Sequence, residues 1–181
     1  LACEELEYLD TSLRVIMSVH AGLNSLTVFT WGNEEQRKRY LVPQSRGEKI
    51  GGYGLTEPDA GSDVRGIQSV AVKKDGYWLL SGEKTWISLA EVADHFLVFA
   101  WSDQKKKKQR DVSGISAFMI EREFHGFSSG PIGEKWGILA GNTGFFTMDE
   151  MEVPAENLIG REGEGFKIAM FAMFALDQGR Y

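Results

Sequence analysis

Gly51-Gly-Tyr-Gly-Leu-Thr-Glu-Pro-Asp-Ala-Gly-Ser-Asp63 is an apolar, strand-like segment that breaks abruptly into turn formers and hydroxyls, and its reading decides the rest of the chain. Pro58 restricts its own φ and biases Glu57 towards an extended conformation, while Gly61 is open to backbone angles closed to other residues. A sharp turn with exposed N–H groups is therefore predicted. Thr56 and Ser62 carry hydroxyls on either side of it. Composition alone leaves two readings open, a surface turn between strands and a ligand loop. The flanking chain has to separate them.

Downstream the period changes, and Gln68–Lys74 alternates apolar and polar residues. Gln68–Lys74, Tyr77–Leu80 after the turn at Asp75-Gly76, Thr85–Leu89 after Ser81-Gly82, and His95–Trp101 read as short strands. Strand signals return at Ile115–Glu121, Phe145–Met148 and around Met151–Val153, which predicts a β-sandwich or barrel and not a parallel sheet with crossover helices. The tract Ser102–Asp111 contains Lys105 to Lys108 and reads as a solvated loop, with a polyanion patch as the alternative.

Upstream the period is helical. From Glu4 to about Phe29, Leu6, Leu9, Leu13, Ile16 and Met17 recur at spacings of three and four, which predicts one packed helical face. Gly32 closes that segment, and Asn33 with Gln36 has the pattern of a capping box for a helix Glu34–Leu41 that Pro43 and Gly47 end. At the other end, the run from Gly165 through Leu176 is apolar almost all the way round, the pattern of a helix buried among other elements. It has no cap, and little else remains to cover it, so a further helical partner is expected.

A chain of 181 residues, 43% of them hydrophobic, can bury a substantial core. Its net charge of −6 gives no electrostatic reason to expect nucleic acid or an anionic membrane. Cys3 is the only cysteine, which excludes an internal disulfide and fits a reducing compartment. No apolar run reaches the ~18 residues of a membrane span, and His20, His95 and His125 lack the spacing of metal ligands.

Four ordered motifs carry a resemblance. Tyr53-Gly-Leu-Thr-Glu-Pro-Asp-Ala-Gly-Ser-Asp63, Gly82-Glu-Lys-Thr-Trp-Ile-Ser88, Val153-Pro-Ala-Glu-Asn-Leu-Ile-Gly160 and Gly163-Glu-Gly-Phe166 together resemble the acyl-CoA dehydrogenase family, across nearly the whole chain. The resemblance implies an α+β multidomain fold: the end of an N-terminal helical domain (residues 1–49), a middle antiparallel β-barrel or sandwich domain (50–157) and the first helix of a C-terminal helical bundle (158–181). It also implies FAD as cofactor and α,β-dehydrogenation of an acyl-CoA thioester to trans-2-enoyl-CoA. An electron-transfer flavoprotein would be the acceptor, and the assembly a homotetramer in the bacterial cytoplasm or the mitochondrial matrix.

Residue by residue, Tyr53, Leu55 and Thr56 match the family's flavin-contacting segment. Gly61 and Ser62 match the far side of that loop, where the serine approaches both cofactor and acyl-CoA. Trp86, Ile87 and Ser88 match the second flavin strand, with the indole against the ring. Asp177 and Arg180 match substrate-contacting positions. In one branch of the family the catalytic carboxylate immediately precedes the arginine matched by Arg180, but Gly179 stands there. The other branch places its glutamate beyond Tyr181, so no base is expected in this chain.

The runs Ser12–Val19 and Gly32–Gln36 are similar to glutaryl-CoA dehydrogenase, whose arginine, matched by Arg14, holds a distal carboxylate. The neighbouring family serine is Val15 here, and a surface arginine is the other reading of Arg14. A non-catalytic flavin-binding or assembly module, and a relative of the oxidases in which reduced flavin meets oxygen, also stay open.

Overall fold

A computed structural model describes residues 2–177 of the chain. Helices come first: α1 (Ala2–Leu9), α2 (Thr11–Met17), a π-helical stretch Ser18–Ser25, and α3 (Leu26–Trp31). The single helix expected from Glu4 is interrupted at Asp10, whose side chain accepts from Ser12 N and caps α2 (2.7 Å). The expected apolar face also differs. Leu9, Leu13 and Ile16 are exposed, and the residues buried here include Ser12, Ser18, Val19, Gly22, Leu23, Asn24, Thr27 and Val28.

The capping box is present. Asn33 Oδ1 accepts from Gln36 N (2.8 Å) and Gln36 Oε1 accepts from Asn33 N (2.9 Å), opening α4 (Glu34–Gln36). Helix continues through a π-helical turn Arg37–Leu41 into α5 (Val42–Ser45), so Pro43 sits inside the helical run. Its ring removes one donor from the run, directly after the π-helical turn. The stop is Gly47, at φ +71°.

The strands are β1 (Gly51–Gly54), β2 (Val70–Lys73), β3 (Tyr77–Ser88), β4 (His95–Trp101), β5 (Ile115–Glu121), β6 (Phe127–Pro131), β7 (Thr143–Pro154) and β8 (Leu158–Ile159). They form one mainly antiparallel sheet in the order β6-β7-β3-β2-β4-β5-β8, with β1 added to β4 in parallel. What the sequence divides at Ser81-Gly82 is one long strand with a bulge, because the register with β7 shifts between Leu80 and Gly82. Gly82 takes φ +151°, and a Cβ there would lie 2.2 Å from the Ser69 hydroxyl, so a close approach and not a turn explains this glycine. The two short strands expected near Phe145 and Met151 are likewise the single strand β7.

The lysine run forms a short helix, α6 (Gln104–Gln109). Asp103 caps it by accepting from Lys105 N and Lys106 N, and Arg110 closes it in a left-handed conformation. Beyond the strands lies α7 (Gly165–Asp177). Its Ile168, Ala169, Ala172 and Ala175 are buried, while Met170, Met173 and Phe174 remain open.

The core is centred on β4 and β5, where Phe96 through Trp101 and Ile115 through Ile120 are all fully buried. Helical and β regions are stitched together by polar side chains. Gln36 Nε2 donates to the carbonyls of Glu156 and Leu158 (2.7 and 2.8 Å), and Asn157 Nδ2 donates to Tyr40 Oη and Met119 O (3.0 and 2.8 Å).

Candidate functional site

After β1 the chain makes a tight turn over Glu57-Pro58-Asp59-Ala60, closed in both directions by Glu57 N to Ala60 O (2.9 Å) and Ala60 N to Glu57 O (3.1 Å). Proline in the second position presets the φ that this turn needs. Gly61 and Ser62 follow on the exposed side, and Asp63 accepts from Arg65 N (3.1 Å) to start the next turn. Gly61 does not use a left-handed conformation, contrary to the reading of its sequence. A Cβ placed on it would meet nothing within 4 Å, so it borders open space.

That space is a cleft of about 410 Å³. Tyr53, Leu55, Thr56, Gly61 and Ser62 line one side of it, and Trp86, Ile87 and Ser88 line another. The two sequence motifs thus meet on a single concavity. Val19 and Leu23 of the π-helical stretch and Met170 and Met173 of α7 complete the wall with apolar side chains. No carboxylate lines it among the described residues.

Trp86 owes its position to strain. Its φ is +57°, in the left-handed region that a bulky residue rarely adopts, at the register shift between Lys84 and Ile87. The bulge turns the indole outward, where it is 62% exposed. Such local strain persists where the surroundings impose it, and it concentrates at binding sites.

Polar groups at the cleft are available. The Tyr53 hydroxyl is buried without a hydrogen-bond partner among the described residues, and burial pushes its pKa far above the ordinary phenol value. Thr56, Ser62 and Ser88 add hydroxyls at the lining. A ligand with a planar apolar face and a polar edge suits this combination.

Behind the loop, Glu57 and Lys84 form an ion pair at 2.7 Å, with the side chains 5% and 0% exposed. Glu57 also accepts from Gln68 N, Ser69 N (3.1 Å) and Ser69 Oγ (2.6 Å). Burial alone would raise its pKa, but the Lys84 charge and these bonds hold the carboxyl below its ordinary value. Burial lowers the Lys84 ammonium, which Glu57 offsets in part. Sequence reasoning passed over both residues, although each lies inside a quoted motif.

Arg14 is placed elsewhere. Its Nε donates to Glu7 Oε2 (2.7 Å), Nη1 donates to Ser18 Oγ (3.3 Å), and it borders a shallow depression with Cys3, Glu4, Glu7 and Tyr8. Asp177 is the last described residue of α7, and Arg180 lies outside the described residues.

Sequence models of the acyl-CoA dehydrogenase N-terminal domain and middle domain match residues 1–48 and 52–151. The chain belongs to the acyl-CoA dehydrogenase family. It is 45% identical over 180 residues to a short-chain-specific acyl-CoA dehydrogenase of Clostridium acetobutylicum, covering 99% of this chain and 46% of that protein. The structure of butyryl-CoA dehydrogenase from Megasphaera elsdenii superposes with a TM-score of 0.93 at 37% identity, covering 98% of this chain and 46% of that one. A glutaryl-CoA dehydrogenase from Mycobacterium smegmatis in complex with FADH2 gives a TM-score of 0.89 at 30% identity, over 98% of this chain and 44% of that one. The chain therefore spans about half the length of the relatives it matches. Like the family's, its fold is a run of N-terminal helices, a mostly antiparallel β region and a following helix.

Proposed function

We propose that this chain forms the flavin-holding part of an FAD-dependent acyl-CoA dehydrogenase that converts an acyl-CoA thioester to the trans-2-enoyl-CoA. The observation that carries this reading is the meeting of eight motif residues, from Tyr53 to Ser88, on one cleft. The lining fits FAD on physical grounds. Its walls are apolar, the orphaned Tyr53 hydroxyl needs a polar partner, the outward indole of Trp86 offers an aromatic face, and the space before Gly61 lets a ligand approach the backbone. Bound FAD would supply the acceptor for the hydride that leaves the β-carbon.

This chain's own residues bind and orient. Tyr53, Leu55 and Thr56 would hold one edge of the cofactor, Trp86, Ile87 and Ser88 its face and far edge, and Gly61 and Ser62 would stand between cofactor and thioester. Val19, Leu23, Met170 and Met173 would keep water from the reacting carbons. No carboxylate lines the cleft among the described residues, and the group that would remove the α-proton is proposed to lie outside them. Asp177 and Arg180 remain proposed substrate contacts, and an electron-transfer flavoprotein the proposed acceptor.

Arg14 is engaged by Glu7 and does not line the cleft, which favours a substrate without a distal carboxylate. Turnover of butyryl-CoA and glutaryl-CoA by the full-length protein tests both parts of the reading. Bleaching of bound flavin by butyryl-CoA with little turnover of glutaryl-CoA is the expected result. Preference for glutaryl-CoA would return Arg14 to the substrate site, and no bleaching by either would refute the dehydrogenase.

A further inference from the structure

The Glu57–Lys84 pair joins the two motifs that face the cleft: Glu57 follows Thr56 directly, and Lys84 precedes Trp86 by two positions. We propose that this pair is a positioning device that aims the Leu55–Thr56 peptide at the cofactor, an inference that rests on the flavoenzyme reading above. Lys84 Nζ has three hydrogens and three acceptors: Glu57 Oε1 (2.7 Å), Phe99 O (2.7 Å) and Leu55 O (3.3 Å). The contact with Leu55 sets the orientation of that peptide. No peptide bond is cis among the described residues, so a Leu55 carbonyl turned towards Lys84 sends the Thr56 N–H in the opposite direction.

The neighbouring groups are fixed as well. The Thr56 carbonyl accepts from Thr85 N (3.0 Å), and Glu57 N closes the turn on Ala60 O (2.9 Å). The Thr56 N–H and hydroxyl, at the cleft lining, take no partner among the described residues. Both are donors left free at the cleft while the groups on either side of them are tied.

Stability alone is a poor reason for two charges in this place. A buried ion pair forfeits hydration that its mutual attraction need not recover, and neutral side chains of similar volume are often as stable. What such side chains lack is a donor long enough to reach Leu55 O while anchored on Glu57. The pair also couples Trp86 to the loop, since Lys84 and the bulge lie on the same strand.

The experiment compares three forms of the full-length protein: wild type, Lys84→Met, and the double variant Glu57→Gln with Lys84→Met. Each is read by its urea midpoint, its FAD dissociation constant and the position of the bound-flavin absorption bands. Lys84→Met is expected to lose stability because Glu57 is left buried and unpaired. The double variant is expected to regain most of that stability yet to bind FAD on the order of tenfold more weakly, with bands shifted towards those of free FAD. A double variant with wild-type midpoint, affinity and bands would make the pair merely structural and overturn the inference. Glu57→Asp keeps both charges and shortens one arm by a methylene, so it serves if the double variant does not fold. A folded Glu57→Asp protein with weakened FAD supports the positioning role, and one with unchanged affinity overturns it. Failure of the wild type to bind FAD would instead refute the flavoenzyme reading, and this inference with it.

Discussion

The two ends of β1 are held by buried polar clusters of opposite character. At its start, Gly51 N donates to His20 Nδ1 (3.0 Å), Asn24 Nδ2 donates to Gly52 O (2.7 Å), and Gln44 Nε2 donates to Asn24 Oδ1 and to His95 Nε2 (both 2.7 Å). Every group there is neutral, and both histidines must stay so, because each accepts from an N–H. Past its end stands the charged pair Glu57–Lys84. The neutral cluster ties helices to a strand, and the charged pair aims a loop. The comparison teaches that the same strand can be anchored by a set that acid dissolves and by one that neutrality breaks.

The largest effect is expected at the charged end. Lys84→Met leaves a buried carboxylate without its partner and should cost about 3–5 kcal/mol in denaturant-determined stability. A loss below about 1 kcal/mol would mean that water reaches Glu57 and that the pair is not buried as described.

Acid should act at the other end. Burial is the main cause that holds His95 down at a pKa of about 4, below the ordinary imidazole value of 6.5; the Lys49 charge adds to it and Asp94 opposes it. Between those values the unfolded chain binds a proton that the folded chain refuses, so the contribution is complete above pH 6.5 and falls as the pH drops towards 4. The shift corresponds to about 3 kcal/mol. His20, lowered chiefly by burial, adds in the same direction. Urea midpoints from pH 7 to 4 should show the decline, and His95→Gln should flatten it. An unchanged slope in that variant would assign the acid sensitivity to His20 or to the carboxylates.

Smaller effects separate the walls of the cleft. Trp86→Gly relieves a left-handed φ at an exposed side chain and should raise the thermal stability of the cofactor-free protein by about 1 kcal/mol, while weakening FAD binding. Stability and binding falling together would mean that the indole packs within the fold. Met173→Ala, on the half-open helical wall, should change stability by only about 0.5 kcal/mol. A larger loss would give α7 a bigger share in the core than its exposed face implies.

The capping box at Asn33 and Gln36, the strands around His95–Trp101 and Ile115–Glu121, and both cleft motifs were legible because each is a local pattern. Others depended on distant partners. Gly82 looks like a turn until Ser69 is packed against it, and β6, Phe-Ser-Ser-Gly-Pro, has Phe127 as its one strand former and exists through pairing with β7. Lys105 to Lys108 read as loop because charge masked the Asp103 cap, and the left-handed Trp86 follows from a bulge that no local rule announces. Glu57 and Lys84 are 27 positions apart, so only the fold discloses the pair. The motif residues that line the cleft were legible in the sequence, but the apolar wall of Val19, Leu23, Met170 and Met173 needed the helices to be folded over the sheet.

The claim that this cleft holds FAD is tested most directly at Gly61, where a side chain enters open space and the backbone is unstrained. FAD titrated into the full-length protein and its Gly61→Phe variant, with cofactor fluorescence as the readout, should give stoichiometric binding in the wild type. The variant should fold with an unchanged melting temperature and have lost that binding. Full FAD affinity in a folded Gly61→Phe protein would contradict the account.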